Sequence, residues 1–165
     1  MDAELAAARE KLNQATPLKT DCGRVCGARC CLPLEGEETG MLLFPGEVEA
    51  YAGKPGWKVR KTARGDLVIC SGTCERAERP LSCRLFPLLP VIGDDGGVRV
   101  VTDLRAKAVC PLARQGKSAM DPAFIDAVRE AGELLAQSDE QAMFLDMLAD
   151  EQEQMKELRK KFISF

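Results

Sequence analysis

Apolar residues recur at helical spacing near the start of the chain. Residues 2–15 place Leu5, Ala8 and Leu12 on one face, with charged residues between them. This spacing predicts an amphipathic helix. The helix should end before Pro17, because the residue preceding a proline is sterically excluded from helical conformations.

The last third of the chain predicts a pair of helices over residues 120–163. Asp121 and Pro122 form an N-cap and a first helical residue, and residues 138–141 read Ser-Asp-Glu-Gln, a capping box that opens a second helix. The apolar residues of this second helix form one stripe that is expected to pack: Phe144, Leu145, Leu148, Met155, Leu158 and Phe162.

The middle of the chain predicts two β-hairpins. The first joins Trp57–Thr62 to Asp66–Cys70, and the second joins Leu88–Ile92 to Val98–Thr102 around a loop rich in glycine and aspartate. An acidic loop is expected at residues 34–40. Strand signals followed by helices, without alternation between the two, indicate an α+β fold.

The predicted organisation is a single domain, 1–165. Hairpins and loops gather a cysteine-rich metal-binding region at 17–112, flanked by an N-terminal helix and the C-terminal helical pair. With 45% hydrophobic residues the chain is long enough to bury a core without cross-links. The cysteines are therefore expected to serve chemistry or local organisation.

Eight cysteines are the candidate metal ligands: Cys22, Cys26, Cys30, Cys31, Cys70, Cys74, Cys83 and Cys110. Histidine is absent, which excludes Cys-His and Ser-His nucleophile pairs and the His-containing catalytic zinc sites. An all-sulfur ligand set favours Zn²⁺, with iron or an iron-sulfur cluster as the alternative.

Charge and hydropathy limit the partners and the compartment. A net charge of -3 without a long basic run argues against nucleic-acid binding. The sequence shows no secretory signal and no apolar run of about eighteen residues, so we expect no membrane partner and a cytoplasmic location. In that reducing compartment metal-bound thiolates are favoured over disulfides.

The cysteine spacing leaves the number of sites open. Eight thiolates suffice for two four-cysteine sites or for one polynuclear site. The neighbours Cys30 and Cys31 point in different directions, so they are expected to serve two sites or two metals of one cluster. Ligands should then combine from both halves of the cysteine-rich region. Arg79 and Arg84 are candidate second-shell residues that offset the thiolate charge.

The pattern Cys22-Gly-x2-Cys26-Gly-x2-Cys30-Cys31, the later Cys70-x3-Cys74 and the block Arg79-Pro-x2-Cys83-Arg84-x-Phe-Pro together carry a family resemblance. The chain resembles the bacterial YkgJ-like family of zinc- or iron-chelating cysteine-cluster proteins between Asp21 and Cys110. The resemblance implies that all eight cysteines act as metal ligands.

Three functions remain open on the sequence. The first is a zinc- or iron-chelating protein. The second is an iron-sulfur protein with redox or methyl-transfer chemistry, because similar cysteine signatures occur in flagellin lysine methylases; an enzymatic activity is therefore undecided. The third, a thiol oxidoreductase, is disfavoured because no Cys-x2-Cys motif begins a helix in a βαβ unit.

Overall fold

A computed structural model describes residues 1–32, 40–72 and 74–163 of the chain. Within these residues the chain forms seven α-helices and two small antiparallel sheets, which confirms the predicted α+β class. The acidic loop predicted for residues 34–40 lies outside the described residues, except for Gly40.

The N-terminal helix α1 spans Ala3–Lys11 and is shorter than predicted. Asp2 caps it by accepting a hydrogen bond from a first-turn backbone N–H at 2.8 Å. At the other end, the Arg76 guanidinium donates to the carbonyl oxygens of Leu12 and Asn13 at 3.1 and 2.9 Å. These bonds pair two carbonyls at and just after the C-cap Leu12, where the chain leaves the helix.

The first predicted hairpin is present. Strands β1 (Met41–Leu42), β2 (Trp57–Thr62) and β3 (Gly65–Cys70) form one antiparallel sheet in the order β1-β3-β2. Trp57 pairs with Cys70 at the end of the β2–β3 ladder. The sheet thus delivers Cys70 at its edge, where the chain leaves for the following cysteine loop.

The second predicted hairpin is also present, formed by β4 (Leu88–Ile92) and β5 (Val98–Thr102). Helix α6 (Pro122–Leu135) lies across it, so closely that a Cβ on Gly132 would be 2.5 Å from Pro90 Cβ. This hairpin contains no cysteine. It belongs to the hydrophobic core and does not supply candidate ligands.

The last helix, α7 (Asp139–Ile163), begins where the capping box predicted, but the box residues make other contacts. Ser138 Oγ and Gln141 Nε2 both donate to Asp2 Oδ2, at 3.2 and 2.9 Å. The start of α7 is therefore joined to the start of α1 by side-chain hydrogen bonds.

Only the first half of the predicted apolar stripe on α7 is in the core. Leu145 and Leu148 are buried, whereas Leu158 and Phe162 are 54% and 79% exposed. A helix of 25 residues spans roughly 37 Å, which exceeds the length of the five-residue strands of the β4–β5 hairpin. The prediction that the whole stripe packs was therefore wrong for these last two residues.

Four short helices complete the chain: α2 (Cys22–Cys26), α3 (Leu81–Leu85), α4 (Ala106–Val109) and α5 (Pro111–Gln115). Helix α3 is anchored in the main core through Leu81 and Leu85, whereas α2 buries no side chain. None of the helices in the described part of the chain is long and apolar enough to cross a membrane.

Candidate metal centre

Helix α2 places two of the candidate ligands on one face. Cys22 and Cys26 are its first and last residues, four apart, which is the spacing that aligns side chains on a helix. The Asp21 side chain caps the helix through the Gly23 N–H at 3.2 Å, and Gly27 ends it with a φ of 66°. Caps at both ends thus fix these two cysteines despite the short length of the helix.

The next turn brings Cys30 and Cys31 back toward α2. Gly27 and Ala28 are both left-handed, with φ values of 66° and 52°, and the chain reverses there before a 3₁₀ turn at Arg29–Cys31. Cys30 is exposed, and its sulfur lies 3.9 Å from that of Cys31. The two neighbouring side chains are therefore close together at their sulfur atoms.

These two thiols are close enough to interact. The interaction with Cys30 lowers the pKa of Cys31, and Arg79 acts in the same direction, while burial opposes both. The same interaction raises the pKa of Cys30. The first proton to leave therefore belongs to the pair as a whole.

The loop after β3 approaches the Cys31 turn. Gly72 has a φ of 94°, and a Cβ at that position would lie 3.3 Å from the Cys31 carbonyl oxygen. Both the positive φ and the close approach favour glycine here. The Gly72 backbone, between Cys70 and Cys74, is therefore packed against Cys31.

The remaining two cysteines lie on helical segments. Cys83 is in the middle of α3, whose first backbone N–H, that of Leu81, is bound by the buried Glu47 carboxylate at 2.9 Å. Cys110 lies at the junction of α4 and α5, and its N–H donates to the Ala106 carbonyl at 2.7 Å. Helix α4 also contacts the Arg29–Cys31 turn, which brings Cys110 to the N-terminal cysteines.

All eight cysteines line two adjoining cavities. The first cavity, of about 200 Å³, is bordered by Cys22, Cys26, Cys30 and Cys110 and otherwise mainly by apolar side chains. The second, of about 70 Å³, is bordered by Cys22, Cys30, Cys31, Cys70, Cys74 and Cys83. The fold thus brings together cysteines from both halves of the cysteine-rich region.

Arg79 contributes positive charge to the second cavity. Its guanidinium borders this cavity together with Cys74 and lies 3.9 Å from Asp21 Oδ2. Burial opposes the charge, but Cys74, Asp21 and Cys31 together raise the pKa of Arg79. Its Nε is buried and has no hydrogen-bond partner among the residues that the structure describes. This unpaired donor is suited to a thiolate that becomes fully charged on binding metal.

Arg84 also borders the second cavity, but its hydrogen bonds join backbone segments. It donates to the carbonyl oxygens of Arg9, Ala77 and Arg79 at 2.9, 2.7 and 2.9 Å. Its side chain is thereby held between α1 and the turn before α3. Sequence analysis proposed both Arg79 and Arg84 as second-shell residues, but the two make different contacts. Their spacing from the cysteines does not distinguish them.

Several thiols are protonated at neutral pH in the absence of metal. Burial, reinforced by neighbouring cysteines, raises the pKa of Cys83 and of Cys22. Burial also raises the pKa of Cys74, although Arg79 opposes that shift. Binding a cation would therefore displace protons from these sulfurs, as thiolate ligands require.

Sulfur donors suit a metal that prefers thiolate ligands. Two residues that the sequence analysis did not identify, Asp21 and Glu47, orient the helices that carry Cys22, Cys26 and Cys83. Within 1–32, 40–72 and 74–163, however, no three Cys, Asp or Glu side chains converge closely enough to hold an ion. The sulfurs would have to move inward to reach the bond length of about 2.3 Å that zinc thiolates adopt.

Searches against family models, curated proteins and solved structures found no match to this chain.

Proposed function

We propose that this protein binds zinc or iron through its cysteine thiolates, in the reducing environment of the cytoplasm. The observation that carries the proposal is the convergence of all eight cysteines on two adjoining cavities. Four separate parts of the chain supply them, and no local sequence spacing would produce that arrangement by itself. The YkgJ-like resemblance of residues 21–110 leads to the same ligands.

Electrostatics also support the proposal. Four thiolates around a divalent cation leave an excess of negative charge, and cations or N–H donors around the sulfurs stabilise it. Arg79 supplies both, with a positive charge beside Cys74 and Cys31 and a buried Nε that has no partner among the described residues. In a protein without a metal, that buried N–H would be a net cost with no compensating contact.

The decisive experiment is elemental analysis of the full chain purified without oxygen. We expect zinc or iron in about one ion or more per chain, and we expect the thiols to resist alkylation until a chelator is added. A matched sample, alkylated in denaturant before refolding, should retain no metal. A metal-free chain whose eight thiols alkylate equally fast before and after metal addition would contradict the proposal.

An iron-sulfur cluster is the second candidate, and the size of the first cavity favours it. About 200 Å³ next to four cysteines is more room than a single ion requires. Four cysteines are also the usual ligand set of [2Fe–2S] and [4Fe–4S] clusters. Visible absorption and acid-labile sulfide in the anaerobic sample would select the cluster, and a colourless zinc-containing sample would select the simple thiolate site.

A further inference from the structure

We propose that the eight cysteines form two separate four-thiolate sites, and that only one of them exchanges its metal readily. The first site comprises Cys22, Cys26, Cys30 and Cys110. The second site comprises Cys31, Cys70, Cys74 and Cys83. This inference rests on the proposed function, since it assumes that the thiolates bind metal.

The cavities define most of this division. Cys26 and Cys110 border only the first cavity, whereas the four cysteines of the second site border only the second. Cys22 and Cys30 border both. Cys22 shares a helix face with Cys26, and the Cys31 backbone is the part of the turn that packs against Gly72. Assigning both shared residues to the first site gives each site the four ligands of a closed tetrahedral centre.

The boundary between the sites is the peptide bond that joins Cys30 to Cys31. Their sulfurs lie 3.9 Å apart, so the two centres would be close neighbours. Metal binding at one site would therefore restrain the turn that also positions a ligand of the other site. The alternative at so short a sulfur–sulfur distance is a single polynuclear cluster. Two separate sites should release their metal in two phases, whereas one cluster should release it in a single phase.

The two sites differ in how firmly the fold holds them. Helix α2 carries two ligands of the first site and buries no side chain, and Cys30 is exposed. In the second site, Cys70 is paired within a sheet and Cys83 lies on a helix whose Leu81 and Leu85 are in the main core. Segments with few buried contacts open at a lower free-energy cost than core segments do. The first site should therefore open first.

Charge and solvent access also favour faster metal exchange at the first site. Arg79 places its charge beside Cys74 and Cys31 in the second cavity, whereas the first is bordered mainly by apolar side chains such as Val25, which is 67% exposed. Outer-shell cations strengthen thiolate ligation, and removing them typically costs about 10–100-fold in affinity. An incoming thiol can approach the first site, where its sulfur would replace Cys30 on the metal while its proton passes to the departing Cys30 thiolate.

The test uses the full chain loaded with Zn²⁺ under anaerobic conditions and challenged with excess of a chromogenic zinc chelator. We expect about two zinc ions per chain by native mass spectrometry, released in two phases that differ at least about tenfold in rate. Cys110→Ser should bind one ion fewer and lose the fast phase. Cys70→Ser should also bind one ion fewer, but it should lose the slow phase.

Alkylation of the wild-type chain after the fast phase makes the test independent of whether the variants fold. Peptide mapping should then find label on Cys22, Cys26, Cys30 and Cys110 only. Single-phase release, loss of all zinc in Cys110→Ser, or uniform labelling would overturn the division in favour of one shared cluster. A wild-type chain that binds no zinc, and that contains no iron when it is purified without oxygen, would instead overturn the proposed function.

Discussion

Glu47 Oε1 accepts a hydrogen bond from the Leu81 backbone N–H at 2.9 Å, and this contact fixes the start of helix α3, which carries Cys83. The carboxylate is completely buried. It also pairs with Arg9 of α1 and accepts a bond from the Phe44 N–H at 3.1 Å. One side chain thus connects the N-terminal helix, the segment after β1 and a candidate metal ligand.

Glu47→Gln should lower the free energy of unfolding by about 3 kcal/mol. The amide cannot accept from all three donors, and the substitution leaves the charge of Arg9 without its partner in a buried setting. Urea unfolding measures the effect. Glu49→Gln is the matched control, because Glu49 is exposed in the same short helical turn and should change stability by less than about 0.5 kcal/mol. Equal effects of both substitutions would contradict the role given to Glu47.

Arg79→Gln should weaken metal binding and leave the fold largely intact. The variant loses the charge beside Cys74 and Cys31 and the buried Nε donor. We expect metal affinity to fall about 10–100-fold, as outer-shell substitutions typically do. Competition with a chelator of known affinity measures it, and unchanged affinity would show that Arg79 has no part in holding the metal.

Arg84→Gln should lower the stability of the fold and have little effect on metal affinity. Its guanidinium bonds to three backbone carbonyls, so its loss should cost about 3 kcal/mol in stability. The metal affinity of the molecules that remain folded should change much less than in Arg79→Gln. Measuring both quantities for both variants tests the two roles against each other.

Ala28→Gly should stabilise the protein by about 1 kcal/mol. Ala28 has a φ of 52°, a conformation that costs a residue with a Cβ roughly 1–2 kcal/mol and glycine almost nothing. Ala7→Gly is the control, because Ala7 is exposed inside α1, where glycine should destabilise by about 1 kcal/mol. Thermal unfolding of both variants should therefore shift in opposite directions. A destabilised Ala28→Gly variant would show that the turn is not strained.

Much of the fold could be predicted because its signals are local. Both hairpins alternate or cluster β-branched residues between turn sequences, and Asp121 with Pro122 begins α6 as expected. The end of α1 could not be predicted in the same way. It depends on Arg76, which lies more than sixty residues away and bonds the helix's terminal carbonyls.

In the candidate site, too, local features could be predicted from the sequence and tertiary contacts could not. Adjacency predicted divergent directions for Cys30 and Cys31, but their sulfurs lie 3.9 Å apart and both residues border the second cavity. Which cysteines accompany them could not be inferred from spacing. That information comes from α4 contacting the Arg29–Cys31 turn and from Gly72 lying against Cys31. Both are tertiary contacts between segments with weak local signals.

Asp2→Asn should remove a pH-dependent part of the stability. Burial acts to raise the pKa of Asp2, but hydrogen bonds from Gln141, the Leu5 N–H and Ser138 outweigh it, and the pKa is lowered from 3.8. A lowered pKa means that the folded state favours the charged form. The contribution is therefore present above pH 3.8 and is lost as pH falls through the folded-state value. Urea unfolding should find wild type more stable than Asp2→Asn at pH 7, with the difference shrinking toward pH 3; a constant difference would contradict this assignment.

Metal removal should loosen the cysteine segments without unfolding the core. The segments at 22–31 and 70–74 and the α4–α5 junction carry ligands, and their described residues include few buried side chains, so their order should depend on metal-binding free energy. Helices α6 and the first half of α7 pack into the main core through Val128, Leu135 and Leu145. Hydrogen exchange after chelation should accelerate at the cysteine segments and remain slow in these helices. Uniform acceleration would show that the core itself requires the metal, and no acceleration anywhere would show that the cysteine segments are ordered without it.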